Sequence, residues 1–76
     1  PPAVEAERRE TARLVRETVA ELPEHLRVTL VLSYYQGMKY KEIASQLGVP
    51  VGTVKSRLHA AMVRLSGVWK RLGLGT

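Results

Sequence analysis

One repeat in this chain restricts its fold more than any other. Between Val51 and Leu72, apolar residues recur four and three positions apart, at Val54, Leu58, Ala61, Leu65, Val68 and Leu72. At about 100° per residue they fall within an arc of roughly 80°, a narrow continuous seam suited to burial on a helix. The opposite side presents Gly52, Ser56, His59, Ala60 and Val63, with Lys55 on one flank and Thr53, Arg57 and Arg64 on the other. No acidic residue interrupts it. A helix with one buried stripe, small and polar groups opposite, and cations along its edges suits a DNA groove, so this stretch is expected to be a recognition helix.

Charge supports that reading by position more than by total. Residues 1–50 balance seven basic side chains against seven acidic ones, whereas residues 51–76 hold Lys55, Arg57, Arg64, Lys70 and Arg71 and no acid, so the whole net charge of +5 sits there. Such asymmetry is expected of a surface that binds a polyanion, although a solvated helix face has the same composition. A chain of 76 residues makes one small domain that buries about 60% of its unfolded surface, which leaves little room for a catalytic cleft. Paired carboxylates, a nucleophile with its base and a glycine-rich phosphate loop are all missing from the sequence, so an enzyme is not expected. With no cysteine and only His25 and His59 as imidazoles, neither a metal site nor another cofactor is expected. The longest apolar run, Val28 to Leu32 around Thr29, is far shorter than the roughly 20 residues of a membrane span, so the expected location is the cytoplasm.

The remaining chain reads as short helices. Pro1 to Ala3 is assigned to a linker, and Val4 to Glu21 has helical spacing, with Val4, Thr11, Leu14, Val15, Thr18 and Leu22 on one side. Glu5 with Arg9 and Glu10 with Arg13 stand at supporting intervals. Pro23 ends this helix and suits the first turn of the next, predicted from Pro23 to Tyr35 with Leu26, Leu30 and Val31 inward. Val28 to Leu32 has the β-branched content of a strand, but no second such run exists to pair with it. Gly37 is expected as a left-handed cap. A short third helix follows from Tyr40 to Leu47, with Tyr40, Ile43, Ala44 and Leu47 at core spacing, then a turn at Gly48, Val49 and Pro50. The prediction is an all-α, four-helix domain spanning residues 1–76, with a helix-turn-helix at 40–65 and a long C-terminal recognition helix.

The helix-turn-helix rests on three offsets. Ala44 is small where two helices cross, Gly48 can take positive φ in the turn, and Val54 fills the angle between the helices. The pattern alone also fits a helical hairpin used only for packing. Lys39, with Lys41, is expected to face a phosphate, because a lysine neither caps a helix nor favours its N-terminal dipole. Arg64 is expected to contact the DNA backbone, and Arg57, at the edge of the seam, to pair with Glu42. His25 reads as exposed, Tyr34 and Tyr35 as packing residues, and Trp69 fits either the end of the core or a partner surface. Gly67 is not expected to end the last helix, since the seam continues beyond it.

The runs Leu22-Pro23-Glu24-His25-Leu26-Arg27, Tyr34 to Ala44, and Leu47 to His59, the last containing Val-Gly-Thr-Val-Lys-Ser-Arg-Leu, resemble region 4 of bacterial sigma factors, most of all the extracytoplasmic-function group. The resemblance implies binding of the last helix in the major groove of the minus-35 promoter element. It also implies docking on the β flap of RNA polymerase, an anti-sigma factor as a further partner, a place at the nucleoid, and a longer parent protein carrying the segment that melts DNA. Carried over to this chain, base contacts fall on Lys55, Ser56, His59 and Ala60, and backbone contacts on Tyr40, Lys41, Pro50, Gly52 and Thr53. Two residues depart from the family pattern: Ala60 stands where arginine is common, and Lys39 where serine usually caps the helix. The competing readings are a module whose main role is docking on polymerase or an anti-sigma factor, and a DNA-binding domain of the LuxR response-regulator type, which shares the helix-turn-helix and the Thr-Val-Lys run.

Overall fold

The computed structural model describes residues 2–71 and 73. The chain forms α1 (Pro2–Glu21), α2 (Glu24–Leu30) continued by a π-helical turn (Val31–Tyr35), α3 (Tyr40–Leu47) and α4 (Val51–Arg71). The long α4 packs against α1, α2 and α3, so the other helices are gathered on one of its sides. Of the seam, Val54, Leu58, Ala61 and Leu65 are buried and Val68 is half-buried, while Leu72 lies outside the described residues. The helix continues through Gly67, as the seam requires.

Helix α1 begins two residues before its expected start. Residues 2–10 are all exposed, so its first turns stand clear of the core and leave Val4 unpacked. Arg13 bridges Glu10 and Glu17 on this exposed stretch, and its hydrogen bond holds the Glu10 carboxyl below the ordinary range. The expected pair of Glu5 with Arg9 does not form. The buried end of the helix is closed from outside. Arg27 donates to the carbonyls of Ala20 and Leu22 at 3.2 Å each, satisfying acceptors that a helix end leaves open. Val19, which helical spacing did not single out, joins Leu22, Leu26 and Leu30 in the core.

The second helix departs from its expected form in its last turn. Gln36 N–H donates to the Val31 carbonyl, five residues back, and Met38 N–H to that of Leu32, so Val31–Tyr35 is wound wider than an α-helix. Leu32 is buried and Val31 only half-buried. Tyr34 and Tyr35 project at 77% and 56% exposure, with rings edge to face at 5.2 Å. Gly37 follows at φ 66°, the left-handed residue expected there. Inside the helix, the fully buried Thr29 hydroxyl donates to the His25 carbonyl at 2.7 Å, so its polar atom is satisfied.

The turn between α3 and α4 is closed by its backbone. Gly48 sits at φ 69°, and Val49 N–H donates to the Ala44 carbonyl at 3.0 Å, the bond of a Schellman cap. Pro50 then opens α4, its carbonyl accepting from Thr53 and Val54 N–H. Ile43 and Val54 are fully buried beside the small Ala44, whereas Tyr40, expected in the core, is 42% exposed. Core spacing placed Tyr40 inward, but at the first residue of α3 it has no preceding turn to pack beneath. Ile43→Ala is expected to lower unfolding free energy by about 2–5 kcal/mol, read as a fall in the urea midpoint with little change in slope.

Candidate nucleic-acid interface

The starts of α3 and α4 meet at an open surface groove of 760 Å³ lined by Lys39, Tyr40, Lys41, Glu42, Val51 and Lys55. Four of the expected DNA-contacting residues therefore share one concavity, and three are cations. The only acid among the lining residues is occupied: the Glu42 carboxylate accepts from Lys39 N–H at 3.0 Å. This is half of a capping box, and the reciprocal bond cannot form because a lysine side chain has no acceptor. Glu42 is thus held at the N-terminus of α3. That explains why the expected ion pair with Arg57 does not form, since the described ion pairs involve only Arg13.

Arg57 instead lines a separate groove with Glu24, His25, Val28 and Leu47. It is half-buried, as a long side chain can be when its methylene stem covers apolar surface and its head reaches water.

The first turn of α4 contains no acid, and among the hydrogen bonds of the described residues none is donated by Val51 or Gly52 N–H. A helix beginning in this way presents donors and a partial positive charge to an anion. Gly52 is exposed, and a Cβ built on it meets nothing within 4 Å. No packing inside the chain calls for a glycine there, although glycine weakens a helix relative to alanine. The neighbouring Pro50 is exposed and Thr53 half-buried.

Along the same helix, Lys55, Ser56, His59 and Arg64 are exposed and Ala60 is half-buried. Ala60 packs against the core cluster, so its methyl stands at the edge of this face. The Ser56 hydroxyl donates to the Thr53 carbonyl at 3.0 Å, leaving its oxygen available as an acceptor. Arg64 lines the groove between α1 and α4 with Thr18, Glu21 and Leu22, about 180° around the helix from Lys55. Cations therefore flank the exposed face on both edges. Among the described residues no three of His, Asp and Glu converge as metal ligands, and no helix is long and apolar enough to cross a membrane.

A fourth groove is only partly signalled by the sequence. Val15, Val19, Leu30, Tyr34, Tyr35, Met62, Leu65 and Trp69 line an almost wholly apolar groove of 130 Å³, and the Trp69 indole nitrogen is buried with no acceptor. The sequence signal for it was Trp69 at the end of the seam. The exposed tyrosines stand at the end of the π turn, which local spacing does not announce.

The short third helix, the glycine turn and the long exposed fourth helix place the chain among helix-turn-helix DNA-binding domains. Residues 12–65 match the family described as Sigma-70, region 4, and the chain belongs to that family, in its extracytoplasmic-function group. Its relatives include the RNA polymerase sigma-H factor of Pseudomonas aeruginosa, 43% identical over 54 residues, which cover 71% of this chain and 28% of that protein. The ECF RNA polymerase sigma factor SigL of Mycobacterium tuberculosis is 39% identical over 61 residues, covering 80% of this chain and 34% of SigL. The ECF RNA polymerase sigma-E factor of Escherichia coli is 42% identical over 52 residues, covering 68% and 27%. The matched stretch is thus about a third or less of each relative's length. The family is one of DNA-binding regulators and not of enzymes.

Lys39→Ser is expected to complete the capping box and stabilise the fold by about 1 kcal/mol while removing a cation from the groove. Thermal unfolding and the salt dependence of duplex binding together check this. A more stable protein with an unchanged salt slope would remove Lys39 from the phosphate-contacting set.

Proposed function

We propose that this chain is the promoter-reading region of a sigma factor and binds the minus-35 element with the exposed face of α4 in the major groove. The observation that carries the reading is Gly52, an exposed glycine at the start of a helix with open space where a side chain would stand. Its absence of a Cβ makes sense if a sugar-phosphate backbone approaches there. Lys39, Tyr40, Lys41, Pro50, Gly52 and Thr53 set the register on one stretch of backbone, and Arg64 on the far flank of α4 reaches the other edge of the groove. Lys55 donates to guanine or phosphate, and the Ser56 oxygen accepts from an amino group of cytosine or adenine. His59 donates to a base, while half-buried Ala60 limits how closely the helix sits and offers only a methyl contact.

Binding at this face involves no chemistry. A single small module buries about 600–1,000 Å² on DNA, so RNA polymerase core, by holding the protein at the promoter, supplies the remaining affinity through effective concentration. The setting is the bacterial cytoplasm, at the nucleoid. Gly52→Ala separates folding from binding: it is expected to stabilise α4 by a few tenths to about 1 kcal/mol and to weaken duplex binding. An unchanged affinity would mean that no backbone approaches Gly52.

A second surface is favoured by the almost wholly apolar groove beside Trp69, bordered by exposed Tyr34, Tyr35 and Met62, because apolar surface left open to water gains from being covered. The groove suits an apolar segment of the polymerase β flap, or of an anti-sigma factor competing for the same place. Trp69 is the only tryptophan, so 5-fluorotryptophan labelling places one fluorine signal in the groove. That signal is expected to move on adding a flap fragment and to stay in place on adding duplex; the reverse pattern would assign the groove to DNA.

A further inference from the structure

Val63 is an aliphatic residue that the fold does not use. It is 57% exposed and lies outside the core cluster and the partly buried residues packed against it. It stands at the rim of the groove between α1 and α4, with Thr18, Glu21, Leu22 and Arg64, and on its other side borders His59, Met62 and Ser66. Its direction is less ordinary. At about 100° per residue, Ser56 and Gly52 lie within roughly 20° of it and His59 within roughly 40°, so Val63 continues the line of the proposed reading face, about 10 Å beyond Ser56. Its neighbour Met62 is turned about 100° away and lines the apolar groove with Trp69. Ala60 is drawn in against the core. Beyond Val63 the line carries only half-buried Gly67 and exposed Lys70, so Val63 is its last exposed aliphatic side chain.

We infer that Val63 is a specificity-determining residue whose isopropyl group packs on the C5-methyl of a thymine, at a base pair beyond those reached by Lys55, Ser56 and His59. The inference rests on the groove-binding reading and extends it by one position. Its chemistry is restrictive: the side chain has neither donor nor acceptor, and the thymine methyl is the apolar group that distinguishes base edges in the major groove. A polar base edge facing Val63 gains nothing from it.

The test begins with a duplex selected by the chain from a random pool, in which each thymine is then replaced by deoxyuridine, deleting one methyl at a time. Wild-type binding is expected to weaken about fourfold at one thymine near the Val63 end of the site, the value of one buried methyl-sized group. Val63→Ala, which retains helix propensity and leaves the core intact, is expected to weaken binding by a similar factor and to lose its sensitivity at that thymine alone. The inference is overturned if no thymine shows the effect, or if Val63→Ala keeps the wild-type sensitivity at every position. A pool that yields no enriched sequence would sink the groove-binding reading along with it, whereas an enriched sequence with a flat uracil scan would sink this inference only.

Discussion

The burial of one side of α4 is the constraint on which the rest depends. Val54, Leu58, Ala61 and Leu65 form the seam against which the other helices pack, and fixing that side fixes which residues face water. The exposed face is consequently positioned by the core and has no separate scaffold. Ala44 and fully buried Val54 hold the angle between α3 and α4, and that angle brings Lys39, Tyr40 and Lys41 into one groove with Lys55. A change in the core at Ile43 or Val54 therefore acts on the candidate interface through geometry as well as through stability.

The two helix starts at this groove give up stabilising devices found elsewhere in proteins. Lys39 occupies a cap position without an acceptor, Gly52 lowers helix propensity where nothing crowds it, and the first turn of α4 has no acid to complement its dipole. Each is a small cost in the isolated chain. All of them increase positive potential or backbone access at one place, and phosphate is the ligand that would turn these costs into binding. Glu42 is compatible with such a surface because its charge is committed to Lys39 N–H. The far ends of the helices follow a different logic, with Arg27 closing α1 and the indole of Trp69 lining an apolar groove.

Much of this was legible in the residues because local chemistry decided it. The bounds of α3 and the start of α4 follow from Gly48 and Pro50, and the seam follows from periodicity. The misses have a common cause in tertiary or competing local contacts. Val31–Tyr35 is π-wound, with bonds to Gln36 and Met38 that close beyond the α pattern, and its Tyr34 and Tyr35, read as packing residues because a duplex reader needs no stacking platform, stand exposed. Tyr40 had core spacing but no turn before it to cover it. Arg57 and Glu42 were paired by charge, yet a backbone donor three residues away reached Glu42 first. The family resemblance added the DNA-contacting roles, which neither burial nor hydrogen bonding assigns by itself.

The most direct test of the central claim is an amide NMR titration of the chain with a duplex carrying a candidate minus-35 element, at two salt concentrations. Binding through the exposed side of α4 predicts shifts concentrated on Lys39 to Lys41 and Gly52 to Val63, weakening as salt rises because phosphate contacts release counterions. Shifts confined to Tyr34, Tyr35 and the surroundings of Trp69, with the α4 face unmoved, would contradict it.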